Sequence, residues 1–170
     1  MREAQGGSGA AMAQLYAAHW RSAYRAAYLV VHDAAAAEDV AQDAFLAAVD
    51  ALDRFDRRRP FAPWLHRIVV NRALDWARRE ELRRRVSRPE SVFEPLPPPA
   101  EIGGELMEAL KELPAEQRAV VVLRHLLEYT PGEIATMLEL PRGTVNSRLR
   151  RGLDRLRATV GPASGEEGWG

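Results

Sequence analysis

Residues 130–156, TPGEIATMLELPRGTVNSRLRRGLDRL, carry the strongest structural signal in the chain. Thr130 is placed to cap a helix, Pro131 suits its first position, and Glu133 can complete a capping box. A second helix is predicted over residues 141–160, with arginine on its outer face. Two helices joined by a short turn, the second of them basic, are typical of a unit that places a helix in the major groove of DNA.

Helical periodicity divides the second helix into an inner and an outer side. At about 100° per residue, the apolar sector consists of Val145, Leu149, Gly152, Leu153 and Leu156. The groove-facing candidates are Thr144, Ser147, Arg148 and Arg151. An arginine can bind guanine through two hydrogen bonds, and the remaining arginines would hold phosphates. An ordinary surface helix, or one packed on an acidic partner, is the alternative.

The composition describes a soluble protein without cysteine chemistry. The chain has 170 residues, 46% of them hydrophobic, which allows one domain or two small ones. Cysteine is absent, so disulfides, a thiol nucleophile and cysteine-bound zinc are excluded. The first residues form no secretory signal, and no apolar run approaches the ~20 residues of a membrane span. We therefore expect a cytoplasmic protein with no membrane insertion.

Charge is arranged in alternating blocks, although the formal net charge is zero. Residues 33–53 hold six acids and no base, and residues 54–88 hold twelve arginines against four acids. Residues 90–116 hold seven glutamates against one lysine, and residues 142–157 hold six arginines against one aspartate. Such separation predicts surfaces with different partners, whereas solvated helix faces are the simpler explanation of any single block.

No strand pattern is present, and the chain is predicted to be all-α with two small helical domains. The first domain, residues 11–86, contains helices over 11–31, 33–55 and 64–85, and Asp33 caps the second of them. Residues 1–10 are expected to be disordered, and the prolines of RRRPFAP, residues 57–63, predict a loop. Residues 87–104 hold five prolines and form a linker of up to ~55 Å. The second domain, residues 105–160, adds helices over 105–113 and 115–128.

Two further surfaces are predicted in the first domain. Asp39, Gln42 and Asp43 share one helix face, which suits a basic protein surface but is equally typical of a solubilising face. The arginines of residues 54–88 are interleaved with Phe55, Phe61, Trp64 and Trp76. Aromatic rings between cations favour single-stranded nucleic acid, because unpaired bases stack on them. Core packing is the alternative for these rings, above all for Trp76. Asn71 either contacts a base through its polar side chain or is simply solvated.

Catalytic chemistry is not predicted. The four histidines lie far apart, and the sequence has no nucleophile motif, phosphate-binding glycine loop or metal-ligand spacing. The carboxylates of Asp39 and Asp43 have no evident reason to be desolvated, as a catalytic pair would be. We expect a protein that is not an enzyme and that has no cofactor, metal or small-molecule substrate.

Three motifs together resemble the bacterial sigma factors of the extracytoplasmic-function (ECF) group, in the sigma-70 family. They are AEDVAQDAFLAAVDAL at residues 37–52, FAPWLHRIVVNRALDWARR at residues 61–79 and LPAEQRAVVVLRHLLEYTPGEIATMLELPRGTVNSRLRRG at residues 113–152. The similarity extends over residues 15–156 apart from the linker, and the order and spacing of the motifs make it specific. It implies sigma domain 2 followed by sigma domain 4, in a factor that directs promoter-specific initiation by core RNA polymerase.

The resemblance also implies a role for each surface. Docking on the clamp coiled coil of the polymerase β′ subunit is implied for Asp39, Gln42 and Asp43. Melting and capture of the −10 element is implied for Arg57, Arg58, Arg59, Phe61, Trp64, Arg67, Asn71 and Arg72. Recognition of the −35 duplex is implied for Thr144, Asn146, Ser147, Arg148, Arg150 and Arg151. The polymerase β flap, promoter DNA and an anti-sigma factor are the other implied partners.

Three features depart from that family pattern, and three other classes of function stay open. One is the run of arginines at residues 57–59, which is unusually basic. The turn between the two helices usually carries glycine, where this chain has Glu139 and Leu140, and a recognition position that is often basic is Asn146. A stand-alone helix-turn-helix regulator would bind duplex DNA without polymerase. A protein adaptor would be indifferent to nucleic acid, and an enzyme acting on nucleic acid would need the catalytic cluster that the sequence lacks.

Overall fold

The computed structural model describes residues 1–84 and 103–160 of the chain. The chain divides into two compact units, Met1–Pro99 and Ala100–Gly170, and both are helical where they are described. The predicted all-α fold with two small helical domains is confirmed, and no strand occurs in the described ranges. Apart from residues 103 and 104, the predicted linker 87–104 lies outside the described residues.

Three long helices form the core of the first unit: α2 (Gly9–Val31), α3 (Ala34–Asp50) and α4 (Phe61–Arg84). A short helix, α1 (Arg2–Gln5), precedes them, and a 3-10 turn, Leu52–Arg54, follows α3. Each long helix packs on the other two. The inner side of α3 and of the turn after it is buried throughout, and it consists of Val40, Ala41, Ala44, Phe45, Ala48 and Leu52. Small side chains on this side let the helix axes approach closely.

The start of α3 follows the prediction from its capping residue. Asp33 Oδ1 accepts a hydrogen bond from Ala36 N at 2.8 Å, which satisfies one of the backbone donors left unpaired at a helix N-terminus. His32 ends α2 in the left-handed conformation, with φ 54°. A two-residue connection between α2 and α3 therefore needs no glycine.

Three local predictions in the first unit are wrong. The helix expected over residues 33–55 ends at Asp50, and a separate 3-10 turn follows it. Residues 1–10 were expected to be disordered, but α1 forms there and Ala4 is buried. The third long helix was expected from Trp64, but it begins at Phe61. Pro63 lies in its first turn, where backbone N–H groups have no partner within the helix, so a proline is tolerated there.

The second unit is built around its last helix. Over residues 103–160 it contains four α-helices: α5 (Gly104–Lys111), α6 (Ala115–Val121), α7 (Pro131–Leu138) and α8 (Arg142–Val160). Helix α8 packs on the other three. The helix expected over residues 115–128 is α6 followed by a π-helical segment, Val122–Leu126, in which Leu127 N donates to Val122 O at 3.0 Å. This wider turn ends α6 before the helix-turn-helix begins.

Two absences hold for residues 1–84 and 103–160. No helix in these ranges is both long enough and apolar enough to span a membrane. The same ranges contain no group of three or more histidine, aspartate or glutamate side chains arranged to hold a metal ion.

Candidate nucleic-acid interface

Helix α7 opens the helix-turn-helix of the second unit with the predicted capping box. Glu133 N donates to Thr130 Oγ1 at 3.3 Å, and Thr130 N donates to Glu133 Oε2 at 2.8 Å. Hydrogen bonds from the Thr130 side chain and backbone hold the pKa of Glu133 below its ordinary value. The box satisfies two backbone groups at the helix start and fixes where α7 begins.

The turn between α7 and α8 forms without glycine. Glu139 takes the left-handed conformation, with φ 54° and ψ 43°, and Leu140 N donates to Ala135 O at 2.9 Å. This conformation costs a residue with a side chain roughly 1–2 kcal/mol. The turn therefore forms at Glu139 without glycine, at that cost in stability.

Helix α8 packs on the rest of the unit through the apolar side that helical periodicity predicted. Val145, Leu149, Gly152 and Leu156 are buried, and Leu153 is half-buried. A Cβ atom built on Gly152 would lie 2.8 Å from Val121 Cγ2, which is closer than such atoms approach in real structures. The absence of a side chain at residue 152 therefore sets the spacing between α6 and α8.

The six residues predicted to read the −35 element fall into two groups. Asn146, Arg150 and Arg151 are exposed, whereas Thr144, Ser147 and Arg148 are half-buried. Ser147 Oγ donates to the backbone oxygen of Thr144 at 2.9 Å. The exposed group is available to a ligand without rearrangement of the helix.

Arg148 already has a partner within its own unit. Its Nη2 atom lies 2.6 Å from Glu116 Oε2, and the Arg148 side chain is 22% exposed. A charge-assisted hydrogen bond of this length is strong, and partial burial reduces its screening by solvent. The pair ties the first turn of α6 to α8, so Arg148 helps to fix α8 in place.

In the first unit, the loop after the 3-10 turn presents three consecutive cations. Arg57, Arg58 and Arg59 are all exposed. Asp56 holds the loop in a tight turn, because its Oδ1 accepts from Arg58 N at 3.0 Å and its backbone oxygen accepts from Arg59 N at 3.0 Å. Three arginines on a short turn form a local site of positive charge that suits a phosphate backbone.

Aromatic rings pack directly behind this loop. Phe55 and Trp64 have centroids 4.8 Å apart, Phe55 and Phe61 lie 5.7 Å apart, and Phe61 contacts the ring of His19 at 5.0 Å. Trp64 is half-buried, whereas Phe61 is only 7% exposed. The Phe61 ring would have to leave this cluster to stack on a base, so in the present arrangement it supports Trp64 and the start of α4.

Three polar residues predicted for the −10 element lie further along α4. Arg67 and Asn71 are half-buried, and Arg72 is exposed. Arg72 Nη1 lies 4.0 Å from Asp43 Oδ2. This exposed pair is weak, but it shows that a residue predicted to bind DNA and one predicted to bind polymerase are neighbours on adjoining helices.

His66 supports the same region from inside the core. Its Nε2 lies 2.6 Å from the Ser22 hydroxyl, in a hydrogen bond between α4 and α2. Burial, with a smaller contribution from the charge of His19, lowers the pKa of His66 to about 4. The ring is therefore neutral near pH 7 and joins two helices of the core.

The acidic face of α3 continues into an apolar groove that the sequence did not predict. Asp39, Gln42 and Asp43 are exposed, as expected. The groove beside them, of about 380 Å³, is lined by Met12, Ala13, Leu15, Tyr16, Gln42, Phe45, Leu46, Ala48, Val49, Leu52 and Phe61. Leu46 is 60% exposed and Val49 is 44% exposed. Gln42, Leu46 and Val49 follow one another at helical spacing, which is the signal that could have identified this surface.

Family comparisons divide the chain as the structure does. The model described as "Sigma-70 region 2" matches residues 15–83, and the model described as "Sigma-70, region 4" matches residues 103–156. The chain is 36% identical over 154 residues to the ECF RNA polymerase sigma factor SigM of Mycobacterium tuberculosis, covering 87% of this chain and 76% of the relative. The chain belongs to the ECF group of the sigma-70 family of sigma factors, the class of protein that gives RNA polymerase its promoter specificity.

Further relatives are similar over most of their length. SigW of Bacillus subtilis, also an ECF sigma factor, is 33% identical over 150 residues, covering 79% of this chain and 80% of the relative. Among solved structures, CnrH in complex with the cytosolic domain of CnrY is 31% identical, with a TM-score of 0.64 and 92% of each chain covered. RpoE of Bartonella quintana, in complex with the anti-sigma factor NepR, has a TM-score of 0.70 at 22% identity and covers 86% of this chain and 94% of its own, which shows a shared fold.

Proposed function

We propose that this chain binds core RNA polymerase and starts transcription by reading the −35 element as duplex and capturing the melted −10 element. The observation that carries the proposal is the presence of an exposed arginine surface on each helical unit, with different chemistry beside each. One lies next to aromatic rings and the other lies on a recognition helix. The proposed domain limits are residues 11–86, a linker over 87–104, and residues 105–160.

The −35 contact is assigned to the outer side of α8. Asn146, Arg150 and Arg151 supply exposed donors, and each good bidentate contact to a base discriminates by ~1–3 kcal/mol. Thr144, Ser147 and Arg148 complete the proposed surface. Because the side chains of Ser147 and Arg148 already have partners, we assign them the smaller part of the discrimination.

The −10 contact is assigned to the loop at residues 56–60, called the basic loop below, and to the adjoining side of α4. Arg57, Arg58 and Arg59 would hold phosphates of the displaced strand, and the half-buried ring of Trp64 offers a stacking surface. The remaining members of this surface are Phe61, Arg67, Asn71 and Arg72. A loop that combines cations with an aromatic platform favours a single strand over a duplex.

Polymerase docking is assigned to α3. The carboxylates of Asp39 and Asp43, with Gln42 between them, would meet basic side chains of the β′ clamp coiled coil, and the exposed Leu46 and Val49 would supply apolar contact. Charged residues around an apolar centre are the usual anatomy of a protein interface. Docking on the β flap is proposed for the second unit.

An anti-sigma factor is proposed as the regulator of this chain. The similar CnrH structure is a complex with the cytosolic domain of CnrY, and the RpoE structure is a complex with the anti-sigma factor NepR. Such a partner would cover the polymerase-binding and DNA-binding surfaces until it is released. The chain would act in the cytoplasm, where core polymerase and promoter DNA are present, and it would not be an enzyme itself.

Run-off transcription with core polymerase and a library of promoters tests the proposal. Adding the chain should produce transcripts from a defined subset of promoters, and Asp43→Arg should abolish them while the helical content stays unchanged. The chain alone should bind duplex DNA weakly. Tight sequence-specific duplex binding without polymerase, together with no transcript from any promoter, would favour a stand-alone helix-turn-helix regulator.

A further inference from the structure

The segment ahead of the family match forms a defined corner on the first unit. The match to sigma region 2 starts at residue 15, whereas α1 begins at Arg2. Gly7, with φ +82°, turns the chain between α1 and α2, and Ser8 Oγ accepts from Ala11 N at 3.4 Å to cap α2. Ala4 is buried, and α1 packs on α2. This corner brings the C-terminal end of α1 close to the turn that follows the C-terminus of α3.

Gln5 connects that corner to the start of the basic loop. Its Nε2 atom donates to the backbone oxygen of Leu52 at 2.8 Å and to the backbone oxygen of Phe55 at 3.1 Å. A primary amide has two N–H groups, so one side chain can satisfy both carbonyls. Leu52 starts the 3-10 turn and Phe55 follows its end. The Gln5 amide therefore spans the turn from one end to the other.

Phe55 is the point where this restraint reaches the proposed −10 surface. Its ring packs on Phe61 and Trp64, and the basic loop begins at the next residue. The far end of the loop is fixed by the start of α4 at Phe61. Because the loop is short, fixing Phe55 restricts the positions that the arginines can take relative to the Trp64 ring.

We propose that Gln5 is a positioning residue for the −10 contact, holding the basic loop in the arrangement that receives a single strand. The inference rests on the function proposed above, and it assigns a role to a residue ahead of the match to sigma region 2, which starts at residue 15. Gln5 acts through Phe55 and touches no DNA itself. Loss of its amide should therefore loosen the loop and weaken capture of the strand, but leave polymerase docking unchanged.

Gln5→Met tests the role, because methionine keeps the length and neutrality of the side chain and removes the donor. Gln14→Met, an exposed position on α2, is the matched control. Holoenzyme carrying Gln5→Met should bind a single-stranded oligodeoxynucleotide with the non-template −10 sequence about threefold to tenfold more weakly than wild type. The Gln14→Met holoenzyme should bind it as wild type does, and both variants should compete equally for core polymerase.

Hydrogen exchange on the free chain provides a second, DNA-independent measurement. The amides of Arg54, Phe55, Arg58 and Arg59 are bonded within the turn and loop, and they should exchange faster in Gln5→Met while the amides of α3 and α4 do not. Gly7→Ala should reproduce this pattern by straining the corner at φ +82°, whereas Gly9→Ala should not.

Unchanged exchange in Gln5→Met and Gly7→Ala would overturn the inference, and so would unchanged strand binding despite faster exchange. If the Gln5→Met chain unfolds, Gly7→Ala and its control Gly9→Ala test the inference instead, by strand binding and by hydrogen exchange. Failure of the proposed function is a separate result, since it would appear as a wild-type holoenzyme that binds no single strand.

Discussion

Gly152 allows α8 to pack closely on α6. Its missing side chain leaves space for Val121 Cγ2, and both residues are buried. In an exposed helix, alanine would be more stable than glycine by about 1 kcal/mol. At this position the steric contact opposes that preference, because Val121 is β-branched and held in the core.

Gly152→Ala should therefore destabilise the second unit although it raises helix propensity. Overpacking of a core costs ~1–3 kcal/mol, so we expect a net loss in the free energy of unfolding, measured by denaturant titration. Combining it with Val121→Ala should cost less than the sum of the two single changes, since the second change removes the contact. A stabilised Gly152→Ala chain would contradict the proposed spacing of α6 and α8.

The lowered pKa of His66 predicts that the first unit becomes less stable in acid. Its pKa is lowered to about 4 in the folded chain, against 6.5 for an ordinary histidine, so the unfolded chain takes up a proton that the folded chain does not. The stability that the neutral, buried His66 ring contributes is fully present above pH 6.5, and it is lost as the pH falls towards 4. Its size is on the order of 3 kcal/mol, since a pKa difference of one corresponds to about 1.4 kcal/mol.

Replacing His66 with glutamine isolates that contribution. His66→Gln removes the titrating ring while retaining a side chain able to bond to Ser22. Between pH 6.5 and 4, the free energy of unfolding should fall less steeply for the variant than for wild type, as measured by denaturant titration at each pH. Parallel curves for the two chains would show that His66 does not carry the pH dependence.

Among the elements, α3 combines charge and apolar surface on one exposed side. Asp39 and Asp43 were visible in the sequence as an acidic stripe, whereas Leu46 and Val49 were not identified as exposed. A leucine on an amphipathic helix is usually assigned to the core, and only the position of α2 leaves this one beside an open groove. The groove is therefore a property of two packed helices and not of the α3 pattern alone.

Leu46→Glu should weaken binding of the chain to core polymerase by about tenfold or more, because a carboxylate cannot be buried in an apolar contact without a partner. Leu82→Glu is a matched control, since Leu82 is 67% exposed on α4 and lies outside the groove. Competition for core polymerase against wild-type chain is the measurement. Equal binding by the two variants would remove the groove from the docking surface.

Local signals in the sequence predicted helix starts better than helix ends. Asp33 and the Thr130 capping box lie at the predicted boundaries, because side-chain caps are encoded by adjacent residues. Pro63 misled the prediction, since the same residue that stops a helix interior is tolerated in a first turn. The π-helical segment after Val121 and the hydrogen bonds of Gln5 depend on contacts with distant residues, and no local pattern reports them.

At the scale of the whole molecule, two helical units carry two arginine surfaces with different surroundings. The family matches coincide with this division, since region 2 lies in the first unit and region 4 lies in the second. The basic segments and the acidic face of α3 could be located from the sequence because charge and helical periodicity are local, whereas their separate roles were implied by the resemblance to the ECF sigma factors. The sequence could not show which arginines already have a partner in the fold, because the partner of Arg148 is 32 residues away in the sequence.

If each arginine surface binds a different form of DNA, one crossed binding measurement should separate them. Holoenzymes carrying either Arg57→Ala, Arg58→Ala and Arg59→Ala together, or Arg151→Ala alone, would be titrated against a −10 single strand and a −35 duplex. We expect the loop variant to lose about tenfold or more in affinity for the single strand only, and Arg151→Ala to lose ~1–3 kcal/mol of binding free energy on the duplex only. Equal losses on both probes for both variants would show that the two surfaces do not divide the binding in this way.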